Sequence, residues 1–278
     1  MLRGGVVLYA AAAVLVAICG LCGFFLFSFG RWATYHRFKG LERPPSEPAA
    51  LARYLRLEIG SFFRLGWWVV IASHRDGWLA ADGPERGPPV LCIHGITQAG
   101  SNFWGLRREL ARRGRRSRAV SYGRVRTNLV AHVPPVERVL REMTAQGPID
   151  VVAHSMGGVV LRLALARNPE LGANVRRVIT LGSPHFGTAA GRGFRFVPTV
   201  RALGRRSTDL AELPHFPEHA RVTTFSARQD LVVYPVQTCH VPGARTIDLA
   251  EVGHTGLLTN PAVIDQVADA VCEEEEGR

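Results

Sequence analysis

Lysine is almost missing from the chain: among 278 residues with a formal net charge of +11, Lys39 is the only one, and arginine supplies the rest of the positive charge. That imbalance is a chain-wide compositional bias rather than a designed basic patch. The densest basic stretch, LRRELARRGRRSR (106–118), lacks interleaved aromatics and any nucleic-acid-binding motif, and is expected to be a solvated helix-to-loop face. No nucleic-acid partner is therefore expected. Cysteine is sparse: Cys19 and Cys22 lie in an apolar run, and Cys92, Cys239 and Cys272 are dispersed, without metal-like or redox-like spacing. Neither a bound metal nor an organic cofactor is expected. Internal repeats are absent, which excludes solenoids, and the only low-complexity piece is the acidic tail Glu273 to Glu276.

Charge is also absent from Gly4 to Gly30, and here the absence points to something. VVLYAAAAVLVAICGLCGFFLFSF supplies about 24 apolar residues, roughly 36 Å of helix, enough to span a bilayer. A cleaved signal would have a shorter apolar region of about 7 to 15 residues and an A-x-A-like site. A lipoprotein signal would want a small residue where Ile18 and Leu21 stand. Residues 1–30 are thus expected to be an uncleaved, single-pass anchor. Arg31, Arg37, Lys39 and Arg43 follow it against Arg3 before it, a bias that leans toward a cytoplasmic location for what comes after. A basic chain below such an anchor would also be attracted to anionic headgroups.

Residues 31–88 are expected to form a juxtamembrane segment. GLERPPSEPAA is a proline-rich break, ALARYLRLEIGSFFRL has helical amphipathic spacing, and GWWVVIASHRDGWLAADGPERGPP is expected to hold one or two short strands. From Pro89 to the end the pattern changes. VLCIHG, SRAVSYG, IDVVAH, RRVITLG, RVTTFSA and ARTIDLA are short β-rich runs, alternating with helices expected from 101, 132, 156 and 261. Asn260 and Pro261 start the last helix as N-cap and first helical residue. The alternation implies an α/β domain over 89–278, a mostly parallel sheet flanked by helices, whose ligand site lies at the carboxyl ends of the strands.

At one such end stands VVAHSMGG (151–158). A serine between a strand and a helix sits on a strained turn with its hydroxyl above the sheet, and the residues two before and two after it must be small because the two backbones pass closely. Ala153 and Gly157 meet that need, Ala153 being a one-methyl departure from the usual glycine. The alternative is that Ser155 only caps the helix. A nucleophilic serine needs a histidine and an acid, and in a sheet of this kind they follow in the order Ser, acid, His. FSARQDLVVYP places Asp230 beyond one strand and DLAEVGHTGLL places His254 beyond the next. Asp248 is the second choice for the acid. Asp150 belongs to a strand entrance, and His154 sits inside the turn. Two N–H donors for an oxyanion are expected from Met156 at the helix start and from the loop after VLCIHG, where Gly95 allows close approach and Ile96 follows. His94 and His185 lie on loops that could line the pocket or merely stabilise those loops.

CIHGITQAGSNFW, AHSMGG, TLGSPHFGT, SARQDLVVYP and VGHTGLLTNP together resemble the consecutive landmarks of the bacterial lipase and esterase branch of the α/β-hydrolase superfamily. The resemblance runs from Pro89 to the last helix. It implies a Ser155, Asp230, His254 triad, Ile96 and Met156 as oxyanion donors, and a loop 182–188 beside the active site. His94, Gly95, His185 and Phe186 would then contact substrate. The expected activity is hydrolysis of a carboxylic ester, with lipid or acyl-chain esters among the candidate substrates, beneath a short lid-like insertion near 189–220. Acyl transfer, thioester or amide cleavage, and a binding module that has lost the chemistry are the alternatives.

Overall fold

The computed structural model of the chain describes residues 26–37, 48–72, 77–122, 128–190, 197–205 and 212–273, with Gly23, Lys39, Ser207 and Leu210. Among them no helix is long and apolar enough to cross a membrane. Most of the apolar run from Gly4, which carries the anchor expectation, lies outside the described residues.

Seven strands form one sheet: β1 (Gly77–Leu79), β2 (Val90–Ile93), β3 (Ser117–Val120), β4 (Ile149–His154), β5 (Val175–Leu181), β6 (Arg221–Ala227) and β7 (Arg245–Leu249). Their spatial order is β1-β3-β2-β4-β5-β6-β7. Only β1 runs antiparallel, against β3; all other pairs are parallel. All six β-rich runs read from the sequence are strands in this sheet. β2 and β4 are buried at every residue, as a parallel sheet covered on both faces requires.

Helices α3 (Val133–Thr144) and α4 (Met156–Arg167) cover one face, and α2 (Trp104–Arg112), α6 (Gly256–Thr259) and α7 (Pro261–Cys272) the other. A short helix, α5 (Pro198–Ala202), lies in the expected lid-like segment. Asn260 caps α7, its side chain accepting the Ala262 N–H at 2.9 Å. The cores follow the strand pleat: Leu91, Ile93, Val151 and Ala153 face α3 and α4, whereas Val90, Cys92 and Val152 face α2 and α7.

The stretch GWWVVIASHRDGWLAADGPERGPP holds one short strand among its described residues, β1, while its opening GWWVVIA is helical, since helix α1 runs from Pro48 to Ala72. The β-branched and aromatic run stays helical because Leu65 and Trp68 dock on the core beside Phe103, and packing outweighs a modest propensity. The basic stretch 106–118 is not a uniformly solvated face. Arg107 is buried and donates to the Gly77 carbonyl at 2.7 Å, tying α2 to β1. Arg115 is buried too, paired with Asp150 and donating to Val271 O at 3.0 Å. Arg113 reaches Glu109, Asp265 and Asp269, linking α2 to α7. Those arginines hold elements together. At the sheet edge, Arg116 and Arg118 lie over the Trp78 ring, 5.0 and 5.8 Å from its centroid.

Outside the sandwich, helical residues 26–37 and α1 form a third cluster. Trp32 is buried against Ala189, Leu231 and Tyr234, with Leu55 and Ile59 of α1 alongside. Both segments therefore lie against the loop that follows β6.

Candidate active site

β2 and β4 are paired in register, Ile93 opposite Ala153, so their carboxyl ends finish side by side. Ser155 follows β4 at φ 54°, ψ −127°, a left-handed conformation costing a non-glycine residue about 1 to 3 kcal/mol. Its N–H donates to Leu181 O at 2.8 Å, which anchors the turn to β5. Glycine is required at 157, since a Cβ there would stand 2.4 Å from Ile93 O and 2.6 Å from His94 O. Glycine is equally required at 95, where a Cβ would meet the Ser155 Cβ at 2.8 Å. Ala153 is fully buried in the core, so its methyl is accommodated.

Asp230 follows β6 in a tight turn, its N–H donating to Ala227 O at 3.1 Å. Its Oδ1 accepts the N–H groups of Val232 and Val233, both at 2.7 Å, which fixes the carboxylate and leaves Oδ2 free to face outward. Oδ2 lies 2.7 Å from His254 Nδ1, and His254 Nε2 lies 2.9 Å from Ser155 Oγ. Burial pulls the His254 ring toward the neutral form. The charge and hydrogen bond of Asp230, joined by the charge of Glu58, outweigh it and hold the imidazole above its usual 6.5. Gly182, at φ 56°, keeps this contact open: a Cβ there would stand 3.2 Å from His254 Nδ1 and 3.4 Å from Asp230 Oδ2.

The rival groups lie elsewhere. Asp248 is held on β7 by Ser226 and by His240 Nε2 at 2.9 Å. Asp150, at the opposite end of β4, is paired with Arg115 and Arg176. His154 is buried, its Nδ1 2.9 Å from Gln98 Oε1 and its Nε2 3.2 Å from the His254 carbonyl oxygen. Burial, the charge of His254 and that of His94 hold it well below 6.5, so it braces the loops as a neutral ring.

His94 and His185, expected at the substrate, are both buried in loop-bracing contacts. His94 accepts the Tyr122 N–H at Nε2, 3.2 Å away, which leaves Nδ1 to donate to Gly95 O at 2.7 Å, and its ring stacks on Tyr122. His185 Nε2 lies 3.2 Å from Thr180 Oγ1, and burial with the neighbouring charges of Arg162 and His215 takes it down to about 3. Phe186 is half-buried, its ring under the Arg162 guanidinium at 5.8 Å and 6.2 Å from His215. Met156 is buried as the first residue of α4, and Ile96 is half-buried in the loop after β2, so each stands where its sequence position implied. Among the described residues no group of three or more His, Cys, Asp or Glu is arranged to hold a metal ion.

Residues 88–202 match a family described as alpha/beta hydrolase fold. With Ser155 at the strand-to-helix turn of a parallel sheet, that match decides the fold. The chain has the α/β-hydrolase fold. Three solved structures share this fold. The mature form of the Bacillus licheniformis lipase BlEst2 superposes with a TM-score of 0.61 at 16% identity, covering 71% of this chain and 98% of the lipase. A metagenomic carboxyl esterase gives 0.57 at 17% identity, over 69% of this chain and 77% of the esterase. Est1E from Butyrivibrio proteoclasticus, with ferulic acid bound, gives 0.53 at 17% identity, over 70% of this chain and 91% of its own.

One buried group had no signal in the sequence. Glu58, on α1, is 2% exposed, and its carboxyl lies against the Gly253 backbone and beside the Thr255 and Gly256 N–H groups, either side of His254. Burial, with the charge of Asp230, raises its carboxyl to about 7, while His254 and the two backbone N–H groups pull it back. As one glutamate in an amphipathic helix of alternating arginines and leucines, it carries no motif; only the fold places it there.

Proposed function

We propose that the chain is a serine hydrolase of carboxylic esters. The observation that carries the proposal is the pair of contacts at His254, 2.7 Å to Asp230 Oδ2 and 2.9 Å to Ser155 Oγ, with the serine held in a strained turn at a strand end. In this reading His254 Nε2 removes the Ser155 proton as Oγ attacks the ester carbonyl. Asp230 holds the Nδ1–H tautomer and stabilises the imidazolium that forms. The Ile96 and Met156 N–H groups stabilise the tetrahedral oxyanion, each worth about 3 to 4 kcal/mol in such a site. The protonated His254 then gives its proton to the departing alkoxide, and an acyl-enzyme remains. Water attacks it with His254 again as base, releasing the acid and free Ser155.

Lipid or acyl-chain esters are the proposed substrates. Their support is apolar surface outside the sheet domain: Phe62, Phe63, Trp67 and Ile71 of α1 are all exposed, and the run preceding residue 30 would tether the domain to a bilayer as a single-pass anchor. The similarity of fold to a lipase and two esterases agrees with ester chemistry.

Labelling with a fluorophosphonate and hydrolysis of a graded series of acyl esters test the reading. The wild-type protein should be labelled at Ser155 and release acid, and Ser155→Ala and His254→Ala should lower turnover by about a thousandfold or more while remaining folded. A folded protein that neither labels nor hydrolyses any ester is a binding module instead. Faster turnover of matched thioesters or amides, or acyl transfer to an added alcohol, would move the activity within the same acyl-enzyme chemistry.

A further inference from the structure

Helix α1 grips the loop that carries His254 at three places. Arg53 pairs with Glu251 before the histidine, the Glu58 carboxyl packs on the backbone at Gly253 and beside Gly256, either side of it, and Arg64 Nη1 donates to Thr259 O at 2.7 Å at the end of α6. The middle contact is the unusual one. Arg53 and Glu251 are exposed, where an ion pair contributes little, but Glu58 is almost wholly withdrawn from water. Burying a carboxylate is costly, and an apolar residue on that face of α1 would fill the space without the cost. The loop leaves no freedom about what fills it. A Cβ on Gly253 would fall 1.9 Å from Glu58 Oε1, so the residue before His254 has no side chain and the carboxylate packs on bare backbone.

We infer that Glu58 is a positioning residue for His254: its carboxylate clamps the 253–256 backbone and thereby sets the height and tilt at which the imidazole meets Ser155 Oγ. This rests on the Ser155, His254, Asp230 reading above. The charged groups facing Glu58 are Asp230 and His254 from the sheet side, while Arg53 and Arg64 on α1 are engaged with Glu251 and the Thr259 carbonyl. When ionised, Glu58 works in the same sense as Asp230, favouring the imidazolium that proton transfer from the serine creates. A helix outside the sheet domain thus contributes to the catalytic centre without touching substrate.

The experiment compares full-length wild type, Ser155→Ala, Glu58→Ala, Glu58→Gln and Glu58→Asp with p-nitrophenyl butyrate, measuring kcat, KM, the pH profile of kcat/KM and thermal unfolding. Glu58→Ala should lose about ten- to a hundredfold in kcat with KM little changed, the cost of displacing a base by a fraction of an ångström. Glu58→Gln keeps an acceptor but not the charge, so it should retain more of kcat and move the acid limb of kcat/KM to lower pH. Glu58→Asp should recover part of the loss. A folded Glu58→Ala with wild-type kcat overturns the inference. If that variant does not fold, Glu58→Gln decides: wild-type kcat and an unmoved acid limb, with only a lower melting temperature, show a structural role and overturn it too. Should Ser155→Ala be as active as wild type, the triad reading falls and the Glu58 inference with it. Should Ser155→Ala be inactive while the Glu58 variants match wild type, the Glu58 inference alone falls.

Discussion

Glu58 Oε1 lies 1.9 Å from the point a Cβ on Gly253 would occupy, so the two residues exclude one another's elaboration. Gly253→Ala should force the helix and the histidine loop apart. The obstructing atoms are the Oε1, Cδ and Cγ of Glu58, so the clash can be relieved only by moving that buried carboxyl away from the loop it packs on. Ester turnover should fall at least tenfold with a lower melting temperature. Combining it with Glu58→Ala, which removes the obstruction, should restore part of the melting temperature, a coupling that a thermal-unfolding double-mutant cycle reads directly.

Asp230 and Asp248 stand on consecutive strand ends and only one faces His254. Asp230→Asn should lower kcat by about a thousandfold or more, since the amide would invert the Nδ1 hydrogen bond and hold the wrong tautomer. Asp248→Asn, whose partners are Ser226 and His240, should leave kcat within about twofold. Steady-state kinetics on the two variants distinguishes them.

Acid sensitivity should come in part from a histidine that never charges. His185 is pushed down to about 3 by burial, so between pH 6.5 and 3 the unfolded chain takes up a proton that the folded chain refuses. Its folded value is depressed, and the protein therefore loses stability as pH falls through that window, by up to about 1.4 kcal/mol per pH unit. His154 acts in the same direction. His254 acts oppositely: its folded value is raised, so its contribution is present below 6.5 and is lost as pH rises through that folded value. Urea unfolding of wild type and His185→Gln across pH 4 to 7 checks the difference, the variant showing the shallower loss.

Arg162 is buried in α4 and, among the described residues, pairs with no carboxylate. It donates to Pro214 O and His185 O, both at 3.0 Å, and to Leu213 O, and burial lowers its guanidinium to about 10. It thereby pins the end of the lid-like segment to the loop after β5. Arg162→Met should cost about 3 kcal/mol, because three buried carbonyls lose a charged donor. Arg162→Lys should recover little, since one ammonium cannot reproduce the fork. Chemical denaturation gives both values.

The strands, the last helix and the order Ser155, Asp230, His254 were legible because each rests on a local signal: a β-branched run, an N-cap followed by proline, a serine flanked by small residues. Glu58 was not legible, because its meaning depends on contact with residues almost two hundred positions away. The end of α1 was not legible for a related reason. A Trp-Trp-Val-Val-Ile run favours strand when judged alone, and docking on Phe103 and its neighbours reverses the preference. Within 106–118, burial divided chemically identical arginines between solvent and interior, a division that spacing cannot express.

The sheet's outermost strand has a further consequence. Three residues long, beginning at a glycine, and carrying at its centre an indole under two guanidinium groups, β1 presents too short a row of backbone donors and acceptors to recruit a partner from another copy. Growth of the sheet by stacking molecules edge on edge is thereby discouraged on that flank.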